Sequence, residues 1–157
     1  MITNYLTIAF EGLKKLSYIH KYRVKAYEQA ERKATGTDLK HFIVDIIRES
    51  EEFNDDLENL LVEIEKECTL NYKEEEQRLH QSQFYYAVAK SQSNSRTVFL
   101  SCLLGDSYSL KAYQDLLNYQ NISLFPAIKT KLELQLKKIM DHIERIEIFQ
   151  VSTQLSA

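Results

Sequence analysis

An all-α fold of four long helices is predicted by three observations. Leu39, Ile43, Ile46, Phe53, Leu57, Leu60 and Ile64 recur at alternating steps of four and three. Ser50 is the only polar residue on that line, so the stretch reads as a long helix with one apolar seam. The 157 residues include only three glycines and one proline, which favours long elements over a many-stranded sheet. Two later stretches, around 96–119 and 126–151, carry seams of the same kind.

Taken in order, the first helix is expected over about 4–34. Leu13, Leu16, Tyr27, Ala30 and Ala34 share a face, with His20, Val24 and Glu31 on or beside it. Gly36 is placed to end that helix, and Thr37 and Asp38 to cap and charge the start of the next. The short link implies an antiparallel hairpin. The second helix, about 38–67, has an acidic outer face of Glu49, Glu51, Glu52, Asp55, Asp56 and Glu58, read as solvated. A loop near 69–71 and a short connecting helix over about 72–90 follow. Phe84, Tyr85 and Tyr86 are expected to anchor that helix.

Ser93, Asn94 or Ser95 is expected to cap the third long helix, about 96–119. Its seam is Phe99, Leu103, Asp106, Leu110, Tyr113 and Leu117, interrupted by one carboxylate. Gly105 lowers helix propensity there but lets a neighbour come close. Ser123 is the expected N-cap of the last helix, with Pro126 in its first turn. Ile128, Leu132, Gln135, Ile139, His142, Ile146 and Phe149 form its seam. The length suits one domain spanning 1–157.

A net charge of −3 and no large Lys/Arg cluster argue against nucleic-acid binding. No stretch approaches the roughly 20 apolar residues of a membrane span, and no signal peptide is legible, so a cytoplasmic protein is expected. Cys68 and Cys102 show no metal or redox spacing and are read as reduced thiols. Nucleotide-binding, zinc-protease and CxxC motifs are absent.

Three segments carry a resemblance. CLLGDSYSLKAYQDLL, from Cys102, resembles a CE-x-GED-x-x-x-KAYEEAL segment, and VKAYEQAERKATGTDLKHF resembles IEGYEKAAEET-x-D-x-DLKALF. Gln135 and His142 match a glutamine and a histidine seven residues apart. All three are features of the DUF2383 family of bacterial four-helix-bundle proteins of unknown function. The resemblance implies a ferritin-like, up-down four-helix bundle with a short extra helix between the second and third long helices. Leu103 and Asp106 stand where that family has glutamates, Phe84 where it has tryptophan, and Gln81-Ser82 where it has His-Arg. The family's glycine-rich loop is missing.

Ferritin-like oxidases hold two metals with glutamates and Glu-x-x-His pairs. Here Ile139, not a glutamate, precedes His142 by three. A ring of Glu31, one of Glu49, Glu51 and Glu52, Asp106 and His142 is short of ligands for two irons, though a single Fe or other divalent ion is less excluded. The competing reading is a hydrogen-bonded inner layer of His20, Tyr27, Asp106, Tyr113, Gln135 and His142, with Asp106 and His142 paired directly. On that reading Asp106→Leu is tolerated.

Three functions follow as expectations. The first is a non-enzymatic bundle with no cofactor, acting through a homo-oligomer or a protein partner, with Tyr5, Tyr18, Tyr72, Tyr85 and Tyr119 as exposed interface candidates. The second is a metal-dependent oxidase or storage protein. The third is a small-molecule binder using Tyr27 and Tyr113.

Overall fold

A computed structural model describes residues 2–67 and 79–155. Among them the structure is all-helical: α1 (Ile2–Lys33), α2 (Thr37–Glu67), α3 (Gln81–Ser91), α4 (Ser95–Leu117) and α5 (Pro126–Leu155), with a 3₁₀ turn at Ile122–Leu124. No helix among the described residues is long and apolar enough to cross a membrane. Cys68, Tyr72 and the expected loop at 69–71 lie outside the described residues.

The seams predict the buried faces well. Ile43, Ile46, Ser50, Phe53, Leu57 and Ile64 of α2 are buried, as are Ile128, Leu132, Gln135, Ile139, His142 and Ile146 of α5. α1 packs on α2, α3 and α4, while α5 packs on α4 and α2. The side-chain links run in opposite order along neighbouring helices. Ser17 reaches Asn54 whereas His20 and Arg23 reach Ser50, which sets α1 against α2. His20 reaches Tyr113 whereas Arg23 reaches Asp106, which sets α1 against α4.

Several helix ends differ from expectation. Gly36 has φ +92°, the left-handed region glycine favours, but it follows two non-helical residues, Ala34 and Thr35, and its carbonyl accepts the Lys40 N–H. It therefore opens α2 rather than closing α1. Asn94 caps α4 by accepting the Thr97 N–H at 3.1 Å. Ser123 does not cap α5: it sits inside the 3₁₀ turn, where Ile122 is the buried plug, and α5 begins at Pro126.

Of the connecting helix expected over about 72–90, residues 72–78 lie outside the described residues, and Leu79 and His80 are not helical, so α3 begins at Gln81. His80 caps α3 instead. Its Nδ1 accepts the Ser82 N–H at 3.2 Å, and the Gln83 side chain accepts the His80 N–H at 2.7 Å. This is a reciprocal capping box with histidine in the role that serine or threonine usually takes.

Of the three aromatics expected to anchor α3, only Tyr86 is fully buried. Phe84 is 56% exposed, and Tyr85 stacks on Tyr108 with ring centroids 5.4 Å apart. Tyr5, Tyr18, Tyr85 and Tyr119 are half-buried rather than exposed.

Gly105 of α4 makes room for the Tyr86 ring of α3. A Cβ there would stand 2.3 Å from the Tyr86 ring. That ring is buried and hydrogen-bonded, so it has no room to yield. Gly105→Ala is expected to destabilise by about 1–3 kcal/mol, overriding the roughly 1 kcal/mol that alanine gains in helix propensity. Urea unfolding checks this, and a neutral or stabilising result would show that α3 can move away at no cost.

Candidate functional site

The helix seams bring one cation to the centre of the molecule. Arg23 of α1 is fully buried, and so is Asp106 of α4. Arg23 Nε donates to Asp106 Oδ1 at 2.8 Å and Nη2 donates to Oδ2 at 3.3 Å, a two-pronged pair. Nη1 donates to Ser50 Oγ of α2 at 3.1 Å, and Nη2 also donates to His142 Nδ1 of α5 at 3.3 Å. The Tyr27 ring lies against the guanidinium, 5.1 Å from its carbon.

Asp106 is equally saturated. Tyr27 donates to Oδ2 and Tyr86 of α3 donates to Oδ1, each at 2.5 Å. Each carboxylate oxygen thus receives one N–H and one phenol. All five helices meet at this pair.

The charged donors set the direction of the remaining bonds. Ser50 accepts from Arg23, and because Tyr113 gives its own hydrogen to Gln135, neutral His20 donates from Nε2 and its Nδ1 is left to accept from Ser50 Oγ, 2.7 Å away. His20 Nε2 then donates to Tyr113 Oη at 2.6 Å. Tyr113 donates to Gln135 Oε1 at 2.6 Å, and the Gln135 amide donates to the Phe53 carbonyl at 3.4 Å. This second polar layer lies seven residues from the first along both α4 and α5. It assigns His20 as the neutral Nε2–H tautomer.

The same logic fixes His142. Its Nδ1 accepts from Arg23, so the proton is on Nε2, which stands 2.5 Å from Glu49 Oε2. The contact is close but off the donor axis, and Glu49 Oε2 makes no aligned hydrogen bond. Burial first, then the Arg23 guanidinium, lowers the His142 pKa to about 3. The same two causes hold His20 well below the usual imidazole range.

Burial also opposes charge on Arg23, but Asp106, followed by Tyr27 and Tyr86, outweighs it, so the guanidinium is held more firmly protonated than usual. Burial and then Asp106 push the Tyr27 and Tyr86 phenols well up, and burial does the same to Tyr113. Burial and Asp106 likewise raise Cys102, which makes it a poor nucleophile.

The expected inner layer of His20, Tyr27, Asp106, Tyr113, Gln135 and His142 is therefore assembled, with one correction. Asp106 and His142 do not pair directly; both bind Arg23. The expected metal ring is not assembled. Glu51 is exposed, and Glu31 lines a surface pocket with Glu28, Arg32 and Lys40. Among the described residues no group of three or more His, Cys, Asp or Glu is placed to hold a metal ion. The closest pair, Glu49 and His142, stands nearer together than two ligands of one ion, which are held roughly 3 Å or more apart by bonds of about 2 Å. A divalent ion would also face a fixed guanidinium.

Arg23 was the residue missed. Steps of three and four from Leu13 run through Leu16, His20, Arg23, Tyr27, Ala30 and Ala34, so the spacing itself selects Arg23 over Val24, which is half-buried. The expectation that charged side chains stay outside hid it. Comparison of the chain with protein-family models, curated proteins and solved structures returns no match. Fold and site define a class: an all-α protein with a buried arginine-centred network and no assembled metal ring among its described residues.

The pairing reverses the expected tolerance of Asp106→Leu. That change strands a buried guanidinium and two buried phenols, so a loss of about 3–5 kcal/mol is expected. Adding Arg23→Leu should recover more than 1 kcal/mol, the coupling of contacting partners in a double-mutant cycle. Additive losses in urea melts would show that the pair is not coupled.

The histidines predict a pH dependence. Folded His142 and His20 bind protons less readily than the unfolded chain, whose imidazoles titrate near 6.5. Stability is therefore complete above pH 6.5 and declines as pH falls, approaching about 1.4 kcal/mol per unit for each histidine. Melts between pH 7.5 and 5 should show this, with a shallower slope in His142→Gln. A flat profile in the parent would contradict neutral buried imidazoles.

Proposed function

We propose that the chain is a ferritin-like four-helix bundle of α1, α2, α4 and α5, with α3 as an added helix in the crossover from α2 to α4, that is non-enzymatic and acts through contacts with itself or a protein partner. The observation that carries this reading is Arg23. Its guanidinium lies between Asp106 and His142, and so supplies from within the chain the positive charge that a bound metal would otherwise bring. The links run antiparallel between α1 and α2 and between α1 and α4, so α2 and α4 point the same way; they support a bundle with a crossover between α2 and α4 rather than strict up-down alternation.

The polar groups inside are used on one another. A small-molecule binder would instead present donors and acceptors toward an open cavity. Tyr27 and Tyr113, the candidates for that role, both donate within the network.

Elemental mass spectrometry on untagged protein, before and after incubation with Fe(II), tests the proposal. Substoichiometric Fe, Mn and Zn in both samples is expected. One or two metals per chain, lost in Asp106→Ala and His142→Ala, would overturn it in favour of a metalloprotein. Arg23→Ala with added guanidinium chloride at non-denaturing concentration offers a second check: partial recovery of melting temperature is expected if the cation is what the site needs.

A further inference from the structure

The exposed charges from α3 through Lys111 of α4 are all basic, and Asp115 is the first exposed acid after them. From Gln81 to Lys111 the one acid is Asp106, which is buried, while Lys90, Arg96 and Lys111 are exposed and make no ion pair among the described residues. Between these cations lies an apolar face: Phe84 is 56% exposed, Leu100 53% and Leu104 36%, bordered by the Tyr85–Tyr108 stack. Contiguous exposed apolar side chains of this kind mark interaction surfaces.

The complementary surface is on α2. Glu51, Glu52 and Asp55 are exposed and have no ion-pair partner among the described residues, whereas Asp45, Asp56 and Glu58 are paired with Arg48, Lys131 and Lys21. Val44 and Val62, both more than 40% exposed, flank these acids on the same line of the helix. At 1.5 Å per residue, Val44 to Val62 spans about 27 Å and Arg96 to Lys111 about 23 Å, so the stripes match in length.

We propose that the basic, apolar α3–α4 face docks on the acidic outer face of α2 in a second copy of this chain. This rests on the self-association reading above and names its surfaces. α2 packs on α1 and α5 whereas α3 packs on α1 and α4, so the two faces are separate patches. The contact is head-to-tail, and it builds rings or open chains rather than a closed symmetric dimer. Cations opposite acids set its register and make it salt-sensitive, and the apolar centre supplies the burial.

Sedimentation equilibrium of the full chain, from micromolar toward millimolar and at low and high salt, tests the proposal. The average mass should climb from the 18.5 kDa single chain past the dimer, and less at high salt. One triple variant carries Lys90→Glu, Arg96→Glu and Lys111→Glu; the other carries Glu51→Lys, Glu52→Lys and Asp55→Lys. Each alone should associate roughly tenfold more weakly or worse, and mixing the two should restore association. Circular dichroism confirms that both fold. Phe84→Glu with Leu104→Glu should weaken association without a rescuing partner. A chain monomeric throughout, or an oligomer indifferent to both charge reversals, overturns this assignment. Metal content separates the two levels: a metal-free monomer removes only the docking surfaces, whereas stoichiometric metal removes the non-enzymatic reading itself.

Discussion

The Arg23–Asp106 pair is the interaction on which the rest of the structure depends. A guanidinium and a carboxylate removed from water are tolerated only where nearly every donor and acceptor finds a partner. That demand recruits Tyr27 from α1, Ser50 from α2, Tyr86 from α3 and His142 from α5. Shifting any of these helices by one residue would break a charge-assisted bond in a low-dielectric interior. An apolar seam alone permits sliding and rotation at small cost, so the pair specifies one register where leucine and isoleucine would allow several.

The pair also polarises what surrounds it. Because Arg23 can only donate, Ser50 and His142 accept from it, and the order of donors runs on from Ser50 through His20 and Tyr113 to Gln135. Both buried imidazoles stay neutral beside the Arg23 cation, and burial together with the Asp106 carboxylate keeps the Tyr27 and Tyr86 phenols protonated. The interior is therefore saturated with polar groups yet chemically quiet: its tyrosines and its buried cysteine resist ionisation, and its histidines are not poised near neutral pH.

Much of the fold was legible before the structure. Seams stepping by four and three found the buried faces of α2 and α5, with Leu39, Leu60 and Phe149 only partly buried, and half of the seam of α4, where Leu103, Leu110 and Leu117 are only partly buried; burial of an apolar stripe is a local property of helix geometry. Polar residues on those seams, including Ser50, Asp106, Gln135 and His142, were recognisable as inward-facing for the same reason. Helix ends were less legible. His80 capping α3 and the 3₁₀ turn over Ile122–Leu124 depend on local hydrogen bonds that the apolar pattern does not record.

The sequence by itself determined the helices, their inner faces and the polar residues placed on them, because a 3.6-residue period converts spacing directly into orientation. Only the tertiary structure decided what those polar residues do. Arg23 sits on the seam of α1, but its meaning arises from Asp106, 83 positions away, and from two tyrosines on different helices. Whether a buried carboxylate faces a metal, another acid or a guanidinium is set by which helices are neighbours and at what height they cross. Those are long-range choices that no single helix encodes, and here they place a side-chain cation at the centre of the fold.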